Sequence, residues 1–393
     1  MQKWRNRVIQ LGREIIQVDT AFPPGNEIIL AKQLGKILSD LGFETIIQNV
    51  LGEDGKVMEN RSNLLARIGN PHGKKVMLCG HLDVVAAGTG WNQADPFCVE
   101  EKDGKLYGRG TADMKFAVAA IITVAEKLVE ESFDFSRGQL LLLFTAVEEI
   151  GNMGVRTYIA SDLYEPVDYG LIGEPTELEL HIAQRGGCRM RVQTLGKAAH
   201  ASDPLQGINA ITKMAKVLEG IDDLNKKMQE RRQPLLQPPS IAATLINGGV
   251  ARNAIPGLCE IQLDRRTVEG ESNEFCMNEI RSICEAIKKN DPEFNYKVLF
   301  VSDNCCGVTK IDSPSVQAGV RAYKKVFKRE PVPVPFPANG DLGHLIQAKS
   351  AMFYCGPGSL KQAHVVDEYV EIDQVYLALE VFEEFVCQAF SEF

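Results

Sequence analysis

Five side chains that can bind a metal ion follow apolar, strand-like segments or glycine-rich turns: His81, Asp113, Glu149, Glu174 and His364. In α/β proteins, functional groups are commonly presented where strands run out into loops. Two histidines and three carboxylates form a nitrogen and oxygen set that suits zinc, and also cobalt or manganese. Each residue taken alone has an ordinary structural explanation, such as a helix cap for Asp113. The set as a whole predicts a site for two divalent metal ions.

The segment GHLD places His81 and Asp83 two residues apart. Side chains at this spacing leave the same face of a strand. We therefore expect the Asp83 carboxylate to accept a hydrogen bond from the His81 ring nitrogen that does not bind metal. An HxD pair by itself is weak evidence, because most such pairs are incidental.

Glu148 and Glu149 directly follow a continuous apolar stretch, Gln139 to Ala146. Two adjacent carboxylates at the end of a core strand repel each other unless they are paired or bind metal. Neighbouring side chains leave a strand in opposite directions, so one can bind metal while the other faces a substrate. We assign Glu149 as a metal ligand and Glu148 as a general base. The alternative is a pair of solvated loop glutamates.

The first half of the chain alternates helical and strand patterns, which predicts an α/β catalytic domain with a central mixed sheet flanked by helices. The predicted elements there are helix 28–41, strand 75–79, helix 117–129 and strand 139–146. The same domain is expected to resume near residue 304 with helix 315–328, strand 351–355 and a final amphipathic helix. We assign residues 1–181 and 304–393 to it.

Residues 182–303 are expected to form an inserted domain. The predicted elements are strand 189–193, helix 209–222, strands 240–246 and 258–264, helix 273–289 and strand 296–301. Their order, β-α-β-β-α-β, is that of a ferredoxin-like α+β unit. We expect this domain to act as a lid and to carry a dimerisation surface.

Bulk composition narrows the class of protein. A formal net charge of −9 disfavours nucleic acid as a partner. No apolar run reaches the length of a membrane span, and the charged N-terminal segment is not a signal peptide. The ten cysteines are scattered without CxxC spacing, which favours buried thiols in a reducing cytoplasm.

Several stretches together resemble the acetylornithine deacetylase, succinyl-diaminopimelate desuccinylase, aminoacylase and glutamate carboxypeptidase family of metal-dependent amidohydrolases. The resemblance covers nearly the whole chain. The matching stretches are PPGNE, GHLDVV, YGRGTADMK, TAVEEIGNMG, GEPT, GKAAHAS, the segment 253–266 and GPGSLKQAH followed by DEYV.

This resemblance implies a zinc-peptidase-like catalytic domain in which His81 and Glu174 hold one metal ion and Glu149 and His364 hold the other. Asp113 would bridge the two ions and be followed by a cis peptide bond. Glu148 would be the base that activates water. The expected reaction is hydrolysis of the amide bond of a small N-acyl amino acid.

The resemblance also assigns residues on the inserted domain. His200 matches a histidine that reaches the partner subunit's active site and stabilises the oxyanion, so a homodimer is expected. Asn253 and Arg266 match substrate-binding positions, and an arginine fork suits a substrate carboxylate. Gly340 lies in the segment that matches the substrate loop, and we count it as a substrate-binding candidate. The sequence of that loop, residues 338–341, is not the usual one, and Phe116 stands where glycine is common, so the substrate stays open.

Other functions are possible on the same residues. A carboxypeptidase, a dipeptidase or a succinyl-diaminopimelate desuccinylase would use the same scaffold, with a dipeptide or an acyl-amino acid as substrate. A binding protein that has lost catalysis is disfavoured, because every ligand and the base are present. A cysteine hydrolase would require a cysteine paired with histidine; Cys79 is close to His81, but on a strand it is expected to be packed core.

Overall fold

The computed structural model describes residues 1–392, which form two compact units. Unit 1 comprises Met1–Ala183, Val308–Phe336 and the chain from Gly340 onward. Unit 2 comprises Gln184–Gly307 and the short segment Pro337–Asn339. Unit 2 is therefore built from one long insertion in unit 1 and from a second segment of three residues. The sequence did not indicate this second segment.

Unit 1 begins with two helices and continues as an alternating set of strands and helices. Its elements before the excursion are α1 (Gln2–Ile16), α2 (Glu27–Asp40), β1 (Glu44–Leu51), β2 (Val57–Gly69), β3 (Lys74–His81), β4 (Glu100–Lys102), β5 (Lys105–Tyr107), α3 (Phe116–Glu130), β6 (Gly138–Thr145), α4 (Met153–Ile159), β7 (Tyr169–Ile172) and β8 (His181–Gln184).

The chain then forms the elements of unit 2. They are β9 (Gly186–Leu195), β10 (Ala199–His200), α5 (Ala210–Met228), β11 (Ser240–Gly248), β12 (Ala254–Ile255), β13 (Leu258–Thr267), α6 (Asn273–Asn290) and β14 (Asn295–Asn304). Strand β15 (Gly307–Val308) lies at the return to unit 1, which continues with α7 (Pro314–Phe327), β16 (Val334–Phe336), α8 (Leu342–Gln347), β17 (Met352–Tyr354), β18 (Tyr369–Glu371) and α9 (Ile372–Phe390).

The main sheet of unit 1 is mixed and has nine strands, in the order β1-β2-β6-β3-β7-β17-β8-β15, with β16 on β8. Its centre is parallel, since β3 pairs in parallel with both β6 and β7, and β17 pairs in parallel with β7. All eight residues of β6 are buried, as expected of a strand that is covered on both faces. This is the mixed sheet with flanking helices that the sequence predicts.

Unit 2 has a four-stranded antiparallel sheet in the order β11-β13-β9-β14. Numbered along the unit, this order is that of a ferredoxin-like fold, which confirms the fold expected of the insertion. Helices α5 and α6 supply its apolar core together with the sheet. Side chains cap both helices: Asn209 accepts hydrogen bonds from the first turn of α5, and Ser272 accepts one from the first turn of α6.

Two further observations bear on the expectations above. Among residues 1–392, no helix combines the length and the apolar character that crossing a membrane requires. All ten cysteines are free thiols.

Candidate metal centre

Four adjacent strands bring the candidate ligands to one edge of the main sheet. His81 ends β3, Glu149 follows β6, Glu174 follows β7, and His364 follows β17. These strands run parallel to one another, so their carboxyl ends meet at the same edge. The fifth residue, Asp113, comes from the turn that leads into α3.

The five side chains form two groups that share Asp113: His81, Asp113 and Glu174 in one, and Asp113, Glu149 and His364 in the other. Within each group the potential ligand atoms lie within 4.8 Å of one another.

The two oxygens of Asp113 face different histidines. Oδ1 lies 2.9 Å from His81 Nε2, and Oδ2 lies 3.3 Å from His364 Nε2. His364 Nε2 also lies 3.0 Å from Glu149 Oε1, and His81 Nε2 lies 3.9 Å from Glu174 Oε1. A single carboxylate thus stands between two half-sites, each with one histidine and one glutamate. This arrangement would allow Asp113 to contact a cation in each half-site.

The charges at this edge require compensation. Burial and the nearby Asp113 carboxylate raise the pKa of Glu174 well above its usual value and raise that of Glu149. Burial also acts to raise the pKa of Asp113, but hydrogen bonds from His364 and His81 outweigh it and lower the pKa. Packing this much acidity into a poorly solvated place is costly unless cations neutralise it. The donor set and its charge therefore fit two divalent metal ions.

The peptide bond between Asp113 and Met114 is cis, as the resemblance implies.

A buried glutamate that the sequence analysis did not single out holds the Asp113 turn. Glu368 is fully buried, and its Oε1 accepts hydrogen bonds from the backbone N–H groups of Ala112, at 2.9 Å, and Asp113, at 3.1 Å. Its other oxygen pairs with the buried Arg109. Burial raises the pKa of Glu368 to about 7, while Arg109 works to lower it. The only sequence signal was the DEYV stretch that contains Glu368.

The structure corrects the role expected of Asp83. Strand β3 ends at His81, so the two residues do not share one strand face. His81 Nδ1 contacts the backbone carbonyl of Asp83 at 2.9 Å, whereas the nearest Asp83 carboxylate oxygen is 3.8 Å away. The carboxylate instead accepts hydrogen bonds from the backbone N–H groups of Glu148, at 3.0 Å, and Glu149, at 3.1 Å. Asp83 thus orients His81 through its main chain and fixes the two glutamates through its side chain.

The two adjacent glutamates after β6 have different partners. Glu149 lies against His364, whereas Glu148 Oε1 accepts a hydrogen bond of 2.8 Å from the side-chain amide of Asn152. Burial raises the pKa of Glu148 well above its usual value. A partly buried carboxylate beside the two half-sites, and outside both, is placed to exchange protons there.

A family model for peptidase family M20/M25/M40 matches residues 77–388 of the chain. The chain belongs to this family.

Proteins of known sequence agree with the M20 assignment. An acetylornithine deacetylase of Photorhabdus laumondii is 31% identical over 375 residues, which cover 93% of this chain and 92% of that relative. An acetylornithine deacetylase of Proteus mirabilis is similar to the same extent.

Solved structures share the M20 fold. The aminopeptidase PepT of Bacillus cereus superposes with a TM-score of 0.78 at 20% identity, covering 98% of both chains. The YXEP protein of Bacillus subtilis, a dinuclear metal-binding peptidase of the M20 family, gives a TM-score of 0.71 at 17% identity over 100% of this chain and 99% of that one.

Three of the residues assigned from the resemblance lie in unit 2 of this M20 chain. His200 is exposed on β10, opposite Ala254 of β12, and its Nδ1 lies 2.7 Å from the Ser202 hydroxyl. Asn253 immediately precedes that short ladder and is also exposed. Arg266 is the second-last residue of β13; its guanidinium lies 2.9 Å from the Asp264 carboxylate and donates a hydrogen bond of 3.0 Å to the side-chain oxygen of Asn339. The structure thus puts His200 and Asn253 together and Arg266 on a different strand.

Gly340 lies close to Glu148. A β-carbon added at this glycine would stand 3.2 Å from Glu148 Oε1 and 2.6 Å from the Tyr354 hydroxyl. Any larger residue would therefore push against the candidate base or its neighbour. The space that Gly340 leaves is an observation of the structure; its contact with substrate stays a prediction.

Cys79 is fully buried on β3, and burial raises the pKa of its thiol well above the usual value. A thiol in this state is not a nucleophile.

Proposed function

We propose that this M20-family hydrolase uses two metal ions to cleave the amide bond of a small N-acyl amino acid, releasing a carboxylate and a free amino acid. The observation that carries the proposal is the pair of half-sites joined by Asp113, with Glu148 beside them. The relatives of Photorhabdus laumondii and Proteus mirabilis, which match over nearly the whole chain, are acetylornithine deacetylases, and this favours an acyl-amino acid over a peptide as substrate.

The chain's own ligands define where the metal ions would bind. His81 and Glu174 would hold one ion, Glu149 and His364 the other, and Asp113 both. Zinc is the metal we propose, and cobalt or manganese would suit the same ligands. When bound, the ions would acidify water and polarise the substrate carbonyl.

Glu148 is the proposed general base. It takes a proton from the water that attacks the amide carbonyl and returns that proton to the nitrogen of the leaving amine. The carboxylate is free for this task because its partner is the neutral amide of Asn152 rather than a cation.

Residues of the inserted domain are proposed to bind the substrate. Arg266 supplies a guanidinium that suits a carboxylate, and Asn253 supplies an amide. The partial exposure of the Arg266 side chain, 38%, leaves its guanidinium accessible to a ligand. We propose that residues 182–303 act as the lid that brings these groups to the substrate and excludes water.

A homodimer is the proposed functional unit, with His200 of one subunit stabilising the oxyanion at the active site of the other. Strand β11 forms an edge of the unit 2 sheet, and Leu245 and Ile246 on it are each 55% exposed. An edge strand with unpaired backbone groups and apolar side chains favours pairing with another strand. Twofold dimers are the commonest soluble oligomers, so we propose that two copies pair along this edge. The ten free thiols favour a reducing compartment, and we propose the cytoplasm.

The proposal is tested by hydrolysis of a panel of N-acetyl, N-succinyl and N-formyl amino acids together with dipeptides. The assay uses protein loaded with zinc, cobalt or manganese, and chelated protein. We expect one acyl-amino acid class to dominate and chelation to abolish its turnover.

The matched variants are Glu148→Gln and Glu130→Gln, since Glu130 is an exposed helix residue paired with Lys3. We expect Glu148→Gln to retain both metal ions while losing about 10²- to 10⁴-fold in kcat, and Glu130→Gln to behave as the wild type. Turnover of dipeptides alone would move the protein to the peptidases of this scaffold. Two bound metal ions with no turnover of any substrate would favour a binding protein.

A further inference from the structure

The side-chain amide of Asn152 connects the carboxylate of the candidate base, Glu148, with a second, buried carboxylate, that of Asp341. Asn152 Nδ2 donates one hydrogen bond to Glu148 Oε1, at 2.8 Å, and one to Asp341 Oδ1, at 3.0 Å. The other oxygen of Asp341 accepts a hydrogen bond of 2.7 Å from the Thr145 hydroxyl. Asn152 and Asp341 are 3% and 2% exposed. The cluster therefore connects the end of β6, the turn after it and the start of α8.

The chemistry of the amide explains how two acids can stand so close. The NH2 group carries two donors and no charge, so it satisfies one oxygen of each carboxylate at once. A lysine or arginine in the same place would form an ion pair with the base and hold its proton-accepting oxygen. Burial raises the pKa of Glu148 and of Asp341, whose hydrogen bonds from Thr145 and Asn152 work against that rise. Asn152 thus gives each of the two carboxylates a hydrogen bond without neutralising the charge of either.

The backbone of Asn152 places this amide. Its φ of 55° and ψ of 36° are left-handed, a conformation that asparagine, aspartate and glycine adopt more readily than other residues. Its N–H donates to the carbonyl of Glu148 at 3.0 Å and closes the turn that carries both glutamates. The position of the amide relative to Glu148 is therefore fixed within one short turn.

We infer that Asn152 is a positioning residue that holds the Glu148 carboxylate in its catalytic orientation, with Asp341 and Thr145 holding Asn152 in turn. This rests on the proposed role of Glu148. Asn152 fixes Oε1 and leaves the second oxygen of Glu148 to exchange the proton with water and with the leaving amine. Its loss should therefore lower kcat and leave KM and metal content nearly unchanged.

Variants that keep the left-handed turn test this inference. Asn152→Gly removes the amide, and Asn152→Asp replaces it with a third carboxylate of the same shape. The matched controls are Asn60→Gly and Asn60→Asp, because Asn60 is also left-handed, with φ of 61°, but exposed. A misplacement of about 1 Å at a reacting group can cost about 10²-fold. We expect a loss of about that size in kcat for both Asn152 variants, a change in KM below about threefold, and wild-type behaviour of both controls.

An exchanged pair separates positioning from folding. In Asn152→Asp combined with Asp341→Asn, the amide and the carboxylate trade places, so the charge and the hydrogen bond between the two positions remain. The aspartate at position 152 cannot donate to Glu148. We expect the melting temperature to return towards that of the wild type while kcat stays low. Recovery of kcat in this double variant would overturn the inference, as would wild-type kcat in Asn152→Gly.

Crystal structures of the metal-loaded wild type and Asn152→Gly give a readout that does not depend on turnover. We expect the Glu148 carboxylate to turn away from its wild-type position, with the five metal ligands unmoved. An unmoved Glu148 would refute the positioning role even if no substrate were found. If the wild-type protein hydrolyses nothing but Glu148 is displaced in the variant, the proposed function would be wrong and the positioning role would stand.

Discussion

Replacing Glu368 with alanine should destabilise the fold and weaken metal binding together. Glu368 is fully buried and satisfies the backbone N–H groups of Ala112 and Asp113 and the guanidinium of Arg109. Removing one member of a buried ion pair leaves an uncompensated charge, at a cost of about 3–5 kcal/mol. Each orphaned backbone N–H adds about 1–3 kcal/mol, but water entering the space left by the side chain and relaxation of the turn offset part of this. We expect a net loss of about 4 kcal/mol in the free energy of unfolding.

The effect on metal binding follows from the position of the turn. Asp113 is the candidate ligand shared by both half-sites, so loosening its backbone should weaken metal binding at both. Changes to residues that orient a ligand typically cost about 10- to 100-fold in metal affinity. Glu368→Gln keeps an acceptor for the two N–H groups but sets an amide against Arg109, so it should fall between wild type and alanine.

Two assays measure these effects. Urea unfolding of the metal-free protein gives the stability change, and competition with a chelator gives the metal affinity. Glu130→Ala is the control, since its ion pair with Lys3 is largely exposed and should contribute little. If Glu368→Ala lost less than about 1 kcal/mol and bound metal as tightly as the wild type, Glu368 would not be holding the Asp113 turn.

Four further outcomes are expected. Gly340→Ala should lower kcat at least about tenfold because its β-carbon would meet Glu148 and the Tyr354 hydroxyl, and adding Tyr354→Phe should restore part of the loss; unchanged kcat would show that the space is not needed. Hydrogen bonds from two lysines of α5 lower the pKa of Asp291 to about 2, so its stabilisation is complete above about pH 4 and disappears as the pH falls through 2. Urea unfolding of Asp291→Asn should therefore show a deficit at pH 7 that shrinks in acid, and a constant deficit would contradict this. Leu245→Lys should convert a dimer to a monomer in analytical ultracentrifugation, and a dimer of unchanged affinity would exclude the β11 edge. Zinc, cobalt or manganese should each restore chelated protein, and activity that survives complete chelation would refute the metal-dependent mechanism.

Periodicity was sufficient to predict the fold of both units. The apolar run of β6 predicted a central strand because a strand covered on both faces needs apolar residues at every position. The β-α-β-β-α-β order predicted the antiparallel sheet of unit 2, since few topologies satisfy that order with short connections. Element ends differ by several residues: α5 runs to Met228, beyond the predicted end at residue 222, and its apolar residues Leu224 and Met228 continue the buried face at helical spacing.

Four of the candidate ligands could be selected from the sequence because each follows a strand, and parallel strands deliver such residues to one edge. Asp113 could be selected because it follows a glycine-rich turn. The hydrogen bonds around these ligands could not be predicted from the sequence. Asp83 was expected to act on His81 through its carboxylate, but the strand ends at His81, and the carboxylate turns to the backbone of the two glutamates. Glu368 was not selected because its partners are backbone groups and an arginine far along the chain. Asn152 lies four residues from Glu148, but its second partner, Asp341, is distant in sequence, so the sequence did not reveal the cluster. Such contacts depend on three-dimensional packing rather than on local pattern.

The position of β17 in the main sheet determines how late in synthesis the candidate metal centre can be completed. Met352 of β17 pairs with Gly170 of β7, and the whole of unit 2 is made between them. His364 and Glu368 emerge later still, so a growing chain that has only its first half holds His81, Asp113, Glu149 and Glu174 without the second histidine or the anchor of the Asp113 turn. Pairing across such a separation is slow because a long loop must close first. If the proposed second ion binds through His364, a nascent or C-terminally truncated chain would therefore not bind it tightly, and only a complete chain would.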